Sequence, residues 1–229
     1  MHLKPDKLYC FSPLAMLATF IIEITLVVYV IFRYKLTPIA RLVVIMLFLL
    51  ALFQLAEYRE CGSASATILS WSRIGYIAIT LLPALALHLV FLIAKRKERL
   101  MLWLAYGSSF AFAVIFGFSS SAFITHACTG NYAIFQLAQN LGGLYFVYYY
   151  FWLLAGIGLA LYFSINTGKS SRRALVWQVF GYLSFLLPTA IVNTVKPETI
   201  SGLPSIMCGF AVIYAIVLAL AILPSIQNR

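Results

Sequence analysis

Residues 57–89 read EYRECGSASATILSWSRIGYIAITLLPALALHL, and the fold follows from this stretch. A charged cluster, Glu57, Arg59 and Glu60, closes one apolar run beside Cys61. A Gly/Ser/Ala segment follows. The chain then passes Trp71, Arg73 and Tyr76 into a second long apolar run holding Pro83 and His88. Polar groups beside or inside an apolar span are costly without partners. What those partners are is the functional question.

The same pattern extends outward over the whole chain. Its 229 residues are 63% hydrophobic and only 10% charged, against about 25% charged in a soluble domain. The mean hydropathy is +0.98. Such a composition fits lipid, not water, over most of the surface. Disorder is excluded, because it needs low hydrophobicity. A helix needs about 20 apolar residues to cross a bilayer. Seven runs meet that length, at about 12–32, 37–57, 68–94, 100–118, 141–165, 174–195 and 200–224. They are too long, and alternate too little, for barrel strands. The predicted fold class is therefore an all-α, single-domain bundle of seven transmembrane helices over residues 1–229. The start, Met1 to Phe11, lacks the pattern of a cleaved signal peptide.

The basic residues give the orientation. Arg33, Lys35 and Arg41 lie in loop one. Lys95, Arg96, Lys97 and Arg99 lie in loop three, and Lys169, Arg172 and Arg173 in loop five. With Arg229 these are 11 of the 16 basic residues. Lys4, Lys7, Arg59, Arg73 and Lys196 fall on the other side. The positive-inside rule places the N-terminus outside and the C-terminus in the cytoplasm. The net charge of +10 therefore marks topology and not nucleic-acid binding. Membrane lipids are the expected partners, and the basic loops also suit anionic headgroups. The segment from Ser119 to Asn140 is expected to form a short interfacial helix.

Cys10, Cys61 and Cys128 fall at the outer face, with Cys208 in the outer half of span seven. A Cys61–Cys128 disulfide is the first expectation. Cys10–Cys128 and Cys10–Cys61 stay open, as do unpaired thiols, because spacing does not fix connectivity. His126 near Cys128 lacks zinc-site spacing, so no metal is expected.

Several polar groups lie within the spans. Glu23, near the middle of span one, is by default a functional-site candidate. The other reading is a neutral Glu bonded to a neighbouring helix. Glu57 and Arg73 flank the second loop at similar depth and are expected to pair, tying span two to span three. Arg73 also suits a ligand carboxylate or phosphate. His88 reads as a satisfied interior residue. Pro83 and Pro188 each remove a helical hydrogen bond. The run Tyr145–Trp152, YFVYYYFW, wraps its helix entirely, so part of it faces the bundle. Gln54, Gln178 and Asn193 offer interhelical hydrogen bonds.

Familiar membrane chemistries are missing. Span seven holds no Lys for a retinal Schiff base, and His2, His88 and His126 are too few for a seven-span zinc hydrolase. No nucleophile elbow, phosphate loop or intramembrane Asp pair occurs. The expectation is a protein that is not an enzyme and needs no cofactor.

The segment WSRIGYIAITLLP, Trp71 to Pro83, with acidic Glu57 near the end of span two, resembles the N-terminal seven-transmembrane sensor region of bacterial histidine kinases and diguanylate cyclases. The specific likeness lies in about Leu55 to Pro83. It implies ligand sensing at the outer face or within the bundle, with the signal leaving through span seven. In that family an output domain follows; here only five residues follow Pro224, so a separate signalling or membrane partner is expected. The leading expectation is a receptor-like sensor in a bacterial cytoplasmic membrane, with Glu57, Arg73, Trp71, Tyr76 and Glu23 binding an unidentified small, apolar or amphipathic ligand, or a partner membrane protein, at the outer face and within the bundle. Alternatives are a proton-linked transporter or channel using Glu23 and His88, and an assembly subunit of a membrane complex.

Overall fold

The computed structural model describes residues 13–62, 68–119, 122–128 and 133–227; the side chains of Pro13, 61–70, 124–136 and 139 are outside the described set. Seven long helices follow in order. They are α1 (Pro13–Arg33), α2 (Pro38–Gly62), α3 (Ile68–Ala94), α4 (Arg99–Phe118), α5 (Gln139–Ile165), α6 (Lys169–Val195) and α7 (Leu203–Val217). A 3-10 turn, Pro197–Gly202, leads into α7, and a π-helical segment, Leu218–Ile222, continues it to a last turn at Leu223–Ile226. Among the described residues, seven helices are long and apolar enough to cross a membrane.

Burial sorts the helices by position. The α3 span is 78% buried and the α4 span 22%. Helix α3 is thus the central rod and packs on α2, α4, α5 and α6. Its Ala-rich sequence allows this, because small residues let backbones approach. Helix α1 is peripheral and packs on α2 and α7. Its buried residues, Met16, Glu23 and Val30, recur every seven positions and form one narrow seam. Elsewhere large apolar side chains point outward, Phe32, Trp103, Phe118 and Ile165 among them, as lipid contact requires. Helices α6 and α7 meet closely at Gly181, where an added Cβ would overlap the Tyr214 ring.

Two boundaries differ from the sequence reading. Helix α2 continues past Glu57 to Gly62, so Arg59 and Glu60 are helical. Helix α6 starts at Lys169, so Lys169, Arg172 and Arg173 are in its first turns and not in a loop. Lys and Arg are good helix formers, and all three side chains are exposed.

The expected interfacial helix after α4 is instead a β-hairpin. Strands β1 (Phe123–Cys128) and β2 (Ala133–Leu137) pair antiparallel, with an irregularity between Phe123 and Thr125. Short segments rich in aromatic and β-branched residues favour strands. The Phe123 ring packs against Tyr76 and Phe116, which sets the hairpin over the outer end of the bundle.

Candidate functional site

The end of α2 and the start of α3 are clasped by Glu60 and Ser72. The Ser72 hydroxyl donates to Glu60 Oε1 at 2.9 Å. The expected Glu57–Arg73 ion pair does not form. Arg73 Nη1 donates to the Gly117 carbonyl at 2.8 Å and Nη2 to the Ser119 carbonyl at 3.3 Å. One residue along a helix is a rotation of about 100°. Ser72 and Gly75 therefore face α2 while Arg73 faces α4. There its charge complements the negative C-terminal end of that helix. Trp71 stays at the outer rim, with the Arg59 guanidinium 5.5 Å from its ring centre.

Glu57 points the other way, into the junction of α1, α2 and α7. The Ser205 hydroxyl of α7 hydrogen-bonds its carboxyl group. Its Oε1 has no hydrogen-bond partner among the described residues. Both carboxylate oxygens of Glu23 and Nε2 of Gln54 are also buried without partners. Glu23 and Glu57 are 0% and 1% exposed and lie within electrostatic range of each other. A cavity of about 20 Å³ opens here between Met16 and Thr19 of α1, Gln54 and Glu57 of α2, and Ser205 and Gly209 of α7. That volume suits one water-sized occupant, which needs about 10–15 Å³.

Local sequence explains the recess. Met16, Thr19 and Glu23 follow the three- and four-residue spacing of one helical face, as do Gln54 and Glu57, and Ser205, Cys208 and Gly209. Gly209 and Ser205 are small, so α7 leaves room where α1 and α2 bring polar side chains. On its other side Cys208 borders a second cavity of about 20 Å³ with Tyr149, Tyr182 and Tyr214.

The structure thus divides the five predicted site residues. Glu57 lines the interior recess with Glu23 near it, the Tyr76 ring packs against Phe116, Phe123 and Tyr145, and Arg73 and Trp71 lie on the α4 side and the rim. Sequence reasoning missed Thr19 and Ser205. The four-residue step from Thr19 to Glu23 was the available signal. His88 does not join Glu23; its Nδ1 is 2.9 Å from the Tyr106 hydroxyl on α4. In the aromatic run, Tyr145, Tyr148, Tyr149 and Trp152 are buried while Phe146, Val147 and Phe151 face outward. The Tyr148 hydroxyl contacts Ser109 Oγ at 2.7 Å and donates to the Thr80 carbonyl at 2.6 Å. Thr80 Oγ1 in turn donates to Tyr145 at 3.1 Å. Cys10 and the side chains of Cys61, Cys128 and His126 lie outside the described residues, so the disulfide expectation falls there too; Cys208 is a free, buried thiol.

The comparisons with known proteins agree with this architecture. No curated protein sequence matches the chain. A family model described as the N-terminal 7TM region of histidine kinase matches residues 15–223, which takes in all seven spans. With seven membrane-crossing helices and a match over nearly its whole length, the chain belongs to the family of N-terminal seven-transmembrane regions of histidine kinases.

Proposed function

We propose that this integral, multi-pass membrane sensor module works as a non-enzymatic receptor in a bacterial cytoplasmic membrane. In this reading it recognises a small ligand or a partner in the outer half of the bundle. Glu57 and Glu23 supply the recognition, with Tyr76 beside them and Trp71 and Arg73 framing the rim. The observation that carries the reading is the buried Glu57 Oε1, without a partner among the described residues and lining a cavity bounded by α7, with the unpartnered Glu23 carboxylate near it. Intramembrane ionisable groups of this kind persist for function, because they are expensive.

The route outward runs along the seventh span. Its π-helical segment, Leu218–Ile222, is a geometry frequent at functional sites. Its inner end is tied to the first loop, where the Gln227 amide donates to Thr37 and to the Lys35 carbonyl. The Ser170 hydroxyl of α6 donates to the Ser225 carbonyl. A shift of α7 at the recess therefore changes contacts at the far membrane face. A ligand moves this equilibrium only by its differential affinity for the two arrangements.

The test is a spin-label distance between Lys35 and Ser225, introduced through non-natural amino acids, in the full chain in lipid nanodiscs. Glu57→Gln, Glu23→Gln and Thr19→Val are compared with the parent. A changed distance distribution in the recess variants supports the coupling. Identical distributions in all three overturn it.

A further inference from the structure

We infer that the recess between α1, α2 and α7 is a binding site for a small monovalent metal cation of the Na⁺ class. The inference rests on the recess being the recognition site proposed above, and adds the chemistry of its occupant.

Oxygen atoms dominate what the recess offers. Glu57 Oε1 lines it and is buried with no partner among the described residues; both oxygens of Glu23, one helical turn from Thr19 on α1, are buried and unpartnered near it but do not line it. The Thr19 hydroxyl commits its proton to the Ala15 and Met16 carbonyls, at 3.0 and 2.9 Å. Its lone pairs are thereby left for a cation. Ser205 adds a second hydroxyl beside Glu57. Gln54 lines the same cavity, and a half-turn of its amide exchanges the unpartnered nitrogen for oxygen.

Among the described residues no cation answers these groups. Among the described residues neither Glu23 nor Glu57 has a Lys or Arg partner, and Arg73 is engaged by the α4 carbonyls. Two like charges in a low-dielectric interior repel each other and lack water. A bound monovalent ion offsets one of the two charges, which lowers the repulsion and gives Glu57 a partner.

Size and charge narrow the class. A cavity of about 20 Å³ admits one ion or one water and excludes an organic amine with a side chain. Divalent ions need more: calcium takes six to eight oxygens and magnesium a near-ideal octahedron. Among the described residues no group of three His, Cys, Asp or Glu is placed to hold a metal. One lining carboxylate, a second nearby and neutral hydroxyl and amide oxygens suit a singly charged hard ion.

The experiment is thermal unfolding of the full chain in nanodiscs, followed by intrinsic fluorescence. NaCl is exchanged for KCl or N-methylglucamine chloride at constant ionic strength. A site predicts an unfolding midpoint that rises by about 3–5 °C per tenfold increase in Na⁺ above its Kd. The large organic cation gives no rise, and the Na⁺ dependence disappears in Glu57→Gln and shrinks in Thr19→Val. Because the parent is assayed across cations, the test does not depend on any variant folding. Equal midpoints in all three salts, or an unchanged Na⁺ slope in Glu57→Gln, overturn the inference. The two readings separate cleanly. A parent with no Na⁺ dependence but with an intact spin-label response sinks the cation site alone. Na⁺ binding without any spin-label response sinks the coupling alone.

Discussion

Two polar regions of the bundle follow opposite rules. Between α3, α4 and α5 a tyrosine layer has its hydroxyls engaged. Tyr148 bridges Ser109 and the Thr80 carbonyl, Thr80 reaches Tyr145, and Trp152 Nε1 donates to Ser108 at 3.0 Å. The Tyr148 bond falls on the Thr80 carbonyl, next to the Ile79 carbonyl that Pro83 leaves without its helical donor. Between α1, α2 and α7, the recess keeps several buried polar atoms without protein partners. Membrane proteins satisfy buried polar groups internally wherever they can. The first region therefore reads as architecture and the second as a place held open for something else.

Substitutions sharpen this contrast, and each is checked by reversible unfolding in bicelles. The largest loss is expected at Tyr145, whose ring packs against Tyr76, Phe112 and Phe116. Tyr145→Ala costs about 3–5 kcal/mol, as large aromatic truncations do; a loss below about 1 kcal/mol means the layer is not a packed core. Arg73→Ala removes two charge-assisted hydrogen bonds to the end of α4 and costs about 2 kcal/mol. Arg73→Lys recovers part of that loss, and no loss in either variant contradicts the assigned role. Tyr148→Phe removes only a hydroxyl and costs about 1 kcal/mol, within the range for interhelical bonds in membranes. Glu57→Gln stands last. In Na⁺-free buffer it leaves one Ser205 contact available and replaces an oxygen that has no partner among the described residues, so stability stays within about 0.5 kcal/mol or rises. A loss of several kcal/mol there makes Glu57 structural and erases the contrast.

The sequence made the architecture readable because crossing a bilayer demands long apolar runs, and each basic loop marks one side. Helix ends were harder to read. Charged residues such as Lys169 and Arg173 are written as loop yet extend a rod into the interface. Partner choice was harder still. Glu57 and Arg73 are at matching depth, but depth does not give the angle around the helix. That angle sends Arg73 to the Gly117 carbonyl and leaves Ser72 to meet Glu60. The hairpin at Phe123–Leu137 was missed because an apolar segment over a bundle suits either helix or strand. The aromatic run shows what periodicity does settle: positions 145, 148, 149 and 152 share one face, and that face is buried.

An experimental density map of the full chain in nanodiscs, at a resolution that shows ordered water, tests the central claim most directly. The account predicts discrete density within coordinating distance of Glu57 Oε1, Thr19 Oγ1 and Ser205 Oγ. A map in which α1 has closed onto α7 and protein donors satisfy both Glu23 and Glu57 would contradict it.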